Sequence, residues 1–181
     1  KKDNNSLLQW RGGIYELFEY IPGQNYPQTL EATFDSGRIL ALYHKLLETF
    51  QSQYTPPTGS YHMAPSVESG LRQIPKTLAH VPNMMDVCSY LLQSYNHAAS
   101  TVDRCGIESW PKQIIHGDWH PGNLLFAGHS VAAVVDFDSV RIAPPATDLA
   151  NGMLQFSIVG DKPDPRDWPD CFDRSRLLEF L

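Results

Sequence analysis

A stretch of polar residues between two short apolar runs most constrains how this chain can fold. It extends from His116 to Asn123 within IIHGDWHPGNLLF, and its Pro121–Gly122 pair is typical of a turn. The apolar run NLLF follows, then a second turn at AGHS, then VAAVVDF. Two apolar segments joined by a short polar turn predict a β-hairpin, with the polar stretch at its entrance.

This hairpin would bring three oxygen-bearing side chains together. Asn123 and Asp136 flank the turn almost symmetrically, so antiparallel pairing places both at the open end. Asp118 lies five residues before Asn123, on the loop that enters the hairpin. Two carboxylates and a carboxamide suit a hard cation such as Mg²⁺, with substrate phosphates as further ligands. A carboxylate kept off the metal could accept a proton from a hydroxyl, which completes the parts of a phosphoryl-transfer site.

The rest of the chain predicts an α+β fold. The segment SLLQWRGGIYELFEYIPG indicates two strands around a Gly12–Gly13 turn, the second running from Ile14 to Tyr20. Apolar residues at helical spacing dominate the remainder. We expect a helix from Asp35 or Ser36 to about Tyr54, an irregular segment over 55–82 with a short helix near 66–73, a long helix capped by Asn83, and a helix capped by Thr147 or Asp148.

Composition limits the possible partners and compartments. The chain has 181 residues, a formal charge of -6 and no basic stripe, which argues against nucleic acid or an anionic membrane as a partner. No apolar run is long enough to span a bilayer, and no signal peptide follows the first two lysines. Three widely spaced cysteines fit a reducing compartment, so we expect a cytoplasmic protein.

The pattern H-x-D-x-x-x-x-N, formed by His116, Asp118 and Asn123 and followed by Asp136 at a strand end, resembles a kinase catalytic loop. Taken together, HGDWHPGNLLF and VVDFDSVRIAPPATDLA resemble the aminoglycoside phosphotransferase and choline kinase-type family, which has a protein-kinase-like fold. Two further stretches are similar to that family: YELFEYIPG to the hinge between its lobes, and GRILALYHKLL to the following helix. The resemblance covers residues from about 7 to 157.

This resemblance implies an architecture. Residues 1–22 would form the end of the N-terminal lobe, a strand hairpin and the hinge, and residues 23–181 the helical catalytic C-terminal lobe. The chain would begin within the fourth strand of the N-terminal lobe, without a glycine-rich phosphate loop or a strand lysine, and its helical end would be cut short after Leu181. We expect a fragment rather than a protein that has lost half its ATP site, because the base and metal residues are all present.

The resemblance also implies roles for individual residues. The protein would transfer the γ-phosphate of ATP, with Mg²⁺, to a hydroxyl of a small molecule such as an aminoglycoside, choline, homoserine, or another sugar or amino alcohol, and occasionally of a protein. Asp118 would be the catalytic base. The other implied site residues are Asn123 and Asp136 as magnesium ligands, the backbone of Glu19, Tyr20 and Ile21 at adenine, and His116, His120, Asp138 and Asp148 as supports.

Several alternatives compete with this interpretation. Asp118 could be an ordinary turn residue and Asn123 a cap that starts the following strand. His116, Asp118 and His120, with Asp136 and Asp138, could instead form the metal site of a zinc hydrolase. A catalytically inactive kinase-like binding module is the third alternative. Trp119 could pack in the core or stack on a substrate. His44 is expected to be a packed or interface histidine rather than a ligand. The oligomeric state cannot be predicted.

Overall fold

The computed structural model describes residues 7–51, 62, 64–160 and 162–181. Its elements follow the predicted α+β order. The strands are β1 (Leu7–Trp10), β2 (Gly13–Glu16), β3 (Gln113–Ile115), β4 (Leu124–Ala127), β5 (Ser130–Val134) and β6 (Arg141–Ala143). The helices are α1 (Leu30–Leu47), α2 (Pro65–Thr77), α3 (Met84–Arg104), α4 (Ala146–Ser157) and α5 (Arg174–Glu179). None of these helices combines the length and apolarity needed to cross a membrane.

The first predicted hairpin is present but shifted. β1 and β2 pair antiparallel with Trp10 opposite Gly13, so the turn is Arg11–Gly12 rather than Gly12–Gly13. Both turn residues have positive φ angles, +47° and +79°, which match the right-handed twist of the strands. β2 ends at Glu16, four residues before the predicted end at Tyr20, and the chain continues without regular secondary structure.

Helix boundaries differ from prediction where a better cap exists. α1 begins at Leu30, not near Asp35, because the Thr29 hydroxyl accepts a hydrogen bond from the Ala32 amide. It ends at Leu47, well before the predicted end near Tyr54, a residue that lies outside the described ranges. Asp35 instead accepts a hydrogen bond from the Val131 amide at 2.7 Å, which attaches α1 to β5.

The other helices show similar corrections. α2 is longer than the helix predicted near 66–73, with Pro65 in its first turn, where a missing amide hydrogen is harmless. Asn83 directly precedes α3, but it is left-handed (φ 60°) and its side chain caps nothing. α4 begins after Pro145, so neither Thr147 nor Asp148 is its cap. Both lie in its first turn, which leaves the Asp148 carboxylate available for another element.

Two antiparallel strand pairs frame the polar stretch. β4 and β5 form the predicted hairpin, with Leu124 opposite Val134 and a register shift between Leu125 and Phe126. β3 pairs with β6, Ile114 lying opposite Ile142, and this pair was not predicted because each strand has only three residues. The polar stretch therefore leaves β3 and enters β4, while the chain after β5 passes through Asp136 into β6.

An apolar core packs against these two strand pairs and the polar stretch. Helices α1, α4 and α5 pack around the β4–β5 hairpin and the polar stretch, and burying large apolar side chains is the main stabilising term of such a lobe. The segment after β2 joins the same core, because Gln24 and Phe126 exchange backbone hydrogen bonds of 2.8 and 2.9 Å. The buried core residues are Ala32, Leu40, Trp119, Leu124, Phe126, Phe156 and Phe180.

Candidate active site

Asp118 and Asn123 are joined by two hydrogen bonds. The Asn123 side-chain amide donates to the Asp118 carbonyl at 2.9 Å and to its carboxylate at 3.2 Å. Asn123 is buried, whereas the Asp118 side chain is 44% exposed. The buried amide therefore orients a carboxylate that a substrate can reach, while the amide oxygen accepts no hydrogen bond from the described residues.

Asp136 lies at the same end of the hairpin as Asn123. The Val135 amide donates to the Asn123 carbonyl at 3.0 Å, which extends the β4–β5 pairing by one step. Asp136 follows at once with a φ of +62°, a left-handed conformation that turns the chain out of the strand. Its side chain is exposed. The structure thus places Asn123 directly before β4 and Asp136 two residues after β5, both at the open end of the hairpin.

His120 lies beside Asp118. Its Nδ1 accepts a hydrogen bond from the Gly122 amide at 3.0 Å, so in the neutral ring the proton is on Nε2. That Nε2 lies 3.5 Å from the Asp118 carboxylate. His120 therefore presents a donor to the outer side of Asp118, and the proline–glycine turn after it fixes its ring.

Asp148 holds the start of the polar stretch. Its carboxylate accepts hydrogen bonds from the His116 and Gly117 amides, both at 2.8 Å, and from His44 Nε2 at 3.0 Å. Asp148 is 1% exposed. A buried carboxylate is stable only when donors satisfy its oxygens, and these three N–H groups do so. Asp148 on α4 thereby couples α1 to the loop that carries Asp118.

His116 and Trp119 form the buried underside of the loop. His116 Nε2 donates to the Val135 carbonyl at 3.1 Å, which links the loop to the residue before Asp136. The two rings lie edge to face, with centroids 5.5 Å apart, and neither His116 Nδ1 nor Trp119 Nε1 has a hydrogen-bond partner among the described residues. Trp119 is fully buried, so it packs in the core and cannot stack on a substrate.

Tyr43 on α1 closes this cluster. Its ring centroid lies 6.2 Å from that of His116 and 6.1 Å from that of Trp119. Burial, and then the negative charge of Asp148, raises the pKa of Tyr43 to about 12. The neutral phenol is the form that suits this environment, since a phenolate would add a second anion beside Asp148.

Two residues of this loop support were not predicted. His44, expected only to pack, donates to Asp148 as described. Asn151, one turn after Asp148 on α4, donates from its side-chain amide to the Trp119 carbonyl at 3.2 Å. The spacing of three between Asp148 and Asn151 shows that they share a helix face, but no sequence pattern shows that the face meets the loop.

The remaining predicted residues lie at the surface. Glu19, Tyr20 and Ile21 are exposed, belong to no helix or strand, and make no backbone hydrogen bond within the described ranges. Their backbone N–H and C=O groups could therefore form hydrogen bonds with the edge of a nucleotide base such as adenine. Asp138 is also exposed and makes no hydrogen bond to a described residue.

The donor set fits magnesium better than zinc. Among the residues that the structure describes, no three His, Cys, Asp or Glu side chains are grouped to hold a metal, so the set of His116, Asp118 and His120 is not assembled as a zinc site. His116 is fully buried and bonded to a carbonyl. Mg²⁺ needs only one or two protein oxygens beside phosphates and waters, which the Asn123 amide oxygen and the Asp136 carboxylate can supply.

The chain forms a mixed helix and strand lobe. Its His-x-Asp loop is held by a helix, and an asparagine and an aspartate lie at the end of a hairpin. This arrangement is that of the kinase-like class of phosphotransferases. The chain belongs to the phosphotransferase enzyme family (APH), whose family model matches residues 2–168. This membership agrees with the family resemblance and the kinase-like fold class predicted from the sequence. No curated protein sequence matches the chain at a significant level.

Solved structures similar to this chain include three antibiotic phosphotransferases. A gentamicin complex of APH(2")-IIa is 14% identical, with a TM-score of 0.49 over 96% of this chain and 57% of that one. ADP-bound APH(2'')-Ib is 13% identical, with a TM-score of 0.44 over 80% and 51%. Macrolide 2'-phosphotransferase MphH from Brachybacterium faecium, without ligand, is 16% identical, with a TM-score of 0.44 over 92% and 53%. The chain therefore spans about half the length of these proteins.

Proposed function

We propose that this chain is the catalytic lobe of an ATP-dependent kinase that phosphorylates a hydroxyl group of a small molecule. The observation that carries the proposal is the pair of hydrogen bonds from Asn123 to Asp118 at the open end of the β4–β5 hairpin, where Asp136 follows the end of β5. The accessible carboxylate of Asp118 and the oxygen atoms of Asn123 and Asp136 support a base and two candidate metal ligands at this end. Membership of the phosphotransferase enzyme family supports the same reaction class.

Asp118 is the proposed catalytic base. Its carboxylate is accessible to solvent, and a hydrogen bond from the buried Asn123 amide orients it. It would accept the proton of the acceptor hydroxyl as that oxygen attacks the γ-phosphorus of ATP, so that the bond to the β-phosphate oxygen breaks and the products are a phosphate ester and ADP. Positioning and electrostatics supply most of the acceleration in such reactions. The residues that hold the loop therefore also contribute to the rate.

Asn123 and Asp136 are the proposed ligands of Mg²⁺, through the amide oxygen and the carboxylate. When bound, this ion would neutralise charge on the β- and γ-phosphates of ATP. The bond from Asn123 to Asp118 uses the nitrogen of the amide, so metal binding and orientation of the base employ different atoms of one side chain. The free peptide groups of Glu19–Ile21 are the proposed contact with adenine.

Four residues are proposed as supports. Asp148 and His116 hold the loop to α4 and to Val135 through the hydrogen bonds described above. His120 presents its Nε2 to the base. Asp138 is the fourth, and its role is taken from its place in the family motif, because it makes no hydrogen bond to a described residue. The acceptor class expected from the family is an amino alcohol, an amino sugar or a similar hydroxyl compound.

The test is a transfer assay with the longest natural polypeptide that contains this chain. It would be incubated with Mg-ATP and, separately, an aminoglycoside, a macrolide, choline and homoserine, and the products identified by mass spectrometry. We expect a phosphate ester and an equal amount of ADP with at least one acceptor. Retained Mg-ATP binding with no transfer to any hydroxyl would favour an inactive binding module. Hydrolysis that depends on zinc and not on ATP would favour the hydrolase.

A further inference from the structure

Helix α4 contacts the loop on both sides of Asp118. Asp148 accepts hydrogen bonds from the His116 and Gly117 amides, before the base, and Asn151 donates to the Trp119 carbonyl, after it. Asp148 and Asn151 are three residues apart on α4 and so lie on one face of the helix. The segment between the two attachment points contains only Gly117, Asp118 and Trp119.

We propose that Asn151 is a positioning residue for Asp118, which it serves by fixing the peptide group after Trp119. Asp148 fixes the peptide group before Gly117, so the backbone that carries the base is attached to one rigid helix at both ends. This inference rests on the proposed function of the site. It assigns a role to Asn151, which lies outside both HGDWHPGNLLF and VVDFDSVRIAPPATDLA, the stretches that carry the family resemblance.

The contact needs a donor at residue 151. The Trp119 carbonyl can only accept, and the Asn151 amide supplies the N–H. The indole N–H of Trp119 does not help to hold this residue, because it has no hydrogen-bond partner among the described residues. A carboxylate at residue 151 would place a negative oxygen against the carbonyl oxygen, and repulsion would release this end of the loop.

The Asn151 bond is also independent of the metal ligands. The Asn123 side chain orients Asp118 from within the loop and is itself a proposed magnesium ligand. In the described part of the structure, the Asn151 side chain bonds to the Trp119 carbonyl and makes no hydrogen bond to Asp118, Asn123 or Asp136. Its loss should therefore lower the rate of transfer without weakening the binding of Mg-ATP.

The experiment compares Asn151→Asp with Asn96→Asp, the same change at an exposed position on α3. With an acceptor that the wild type phosphorylates, we expect Asn151→Asp to lower kcat about tenfold and to leave the KM for ATP within twofold, a change of the size expected for one lost hydrogen bond. Asn151→Gln, which keeps the donor on a longer side chain, should recover part of kcat. Asn96→Asp should match the wild type.

Amide hydrogen exchange gives a second readout that does not require activity. In Asn151→Asp, and not in Asn96→Asp, peptides covering residues 114–126 should exchange faster while peptides from α3 remain unchanged. Unchanged exchange in this loop would overturn the role of Asn151, as would an unchanged kcat in an active protein. If the wild type transfers phosphate to no acceptor, the proposed function fails, whereas the exchange comparison still decides whether Asn151 holds the loop.

Discussion

The side-chain amide of Asn123 donates to both the carbonyl and the carboxylate of Asp118, at 2.9 and 3.2 Å. Asn123 thus supports the proposed base through its amide nitrogen, while its amide oxygen accepts no hydrogen bond from a described residue. The bond to the Asp118 carbonyl does not involve the carboxylate, so a change of the Asp118 side chain leaves that bond possible. The site can therefore be tested one chemical group at a time.

Asp118→Asn should abolish most of the transfer activity. The new amide oxygen can still accept the hydrogen bond from Asn123, but the side chain can no longer accept a proton from the substrate. We expect kcat to fall by about 10²–10⁴-fold, with ATP affinity nearly unchanged. Steady-state kinetics and calorimetry measure the two effects. Asp170→Asn, an exposed carboxylate outside the site, is the control, and equal turnover in wild type and Asp118→Asn would remove Asp118 from the role of base.

Asp148→Asn should destabilise the lobe. The substitution places an amide NH₂ group where the His116 and Gly117 amides and the His44 ring now find an acceptor. Because buried donors left unpaired are costly, we expect the free energy of unfolding to fall by about 3 kcal/mol. Denaturant titration measures this change.

The control for Asp148→Asn is Asp103→Asn. Asp103 also pairs with a histidine, His62 at 2.9 Å, but its side chain is 48% exposed. Exposed pairs contribute little, so a loss below about 1 kcal/mol is expected. Similar losses in the two variants would contradict the view that burial makes Asp148 a support of the loop.

Gly117 and Gly128 offer a matched pair of tests. Both have positive φ angles, +81° and +63°. A Cβ on Gly117 would lie 2.2 Å from the Ser139 carbonyl oxygen, whereas a Cβ on Gly128 would have no atom of a described residue within 4 Å beyond its chain neighbours. Gly128→Ala should cost about 1–2 kcal/mol of stability from backbone strain alone.

Gly117→Ala should cost about 2–5 kcal/mol, because the strain is joined by a clash with rigid backbone. The clash would also displace the residue next to Asp118, so kcat should fall as well. Thermal unfolding of both variants, followed by transfer assays at a temperature where both are folded, separates the two effects. Equal destabilisation of the two variants would show that the loop does not lie against Ser139.

Tyr43 should make stability sensitive to alkaline pH. Its pKa is raised from 10.0 to about 12 by burial and by Asp148. Between these values the unfolded chain releases the proton while the folded chain keeps it, so stability is fully present below pH 10 and is lost as the pH rises towards 12. Tyr43→Phe should lose less stability across this window than the wild type. Urea titrations at several pH values measure the slopes, and Tyr90→Phe, which removes an exposed hydroxyl, is the control. A Tyr43→Phe slope equal to that of the wild type would contradict the assignment.

The sequence predicted the parts of the site that depend on local pairing. Hairpin periodicity placed Asn123 and Asp136 at one open end, and the structure has them there because antiparallel register follows from turn position. The first turn was predicted one residue too late, at Gly12–Gly13 instead of Arg11–Gly12, because either pair of residues can form a tight turn.

Features that depend on tertiary contacts could not be predicted. β3 and β6 have three residues each, too few for a periodicity, and they pair only because the loop and the β5 exit bring them together. α1 starts at Leu30 because Thr29 caps it while Asp35 binds Val131, a residue distant in sequence. The donors at His44 and Asn151 were missed for the same reason, because their partners lie on other elements.

Mg²⁺-dependent ATP binding tests the central claim most directly. Calorimetry would compare ATP binding with and without Mg²⁺, for this chain and for the longest natural polypeptide containing it, together with Asp136→Ala. We predict that the longer polypeptide binds ATP, that binding tightens with Mg²⁺, and that Asp136→Ala loses the effect of Mg²⁺. ATP affinity that is the same with and without Mg²⁺, or the same in Asp136→Ala, would contradict a magnesium phosphoryl-transfer site at the open end of the β4–β5 hairpin.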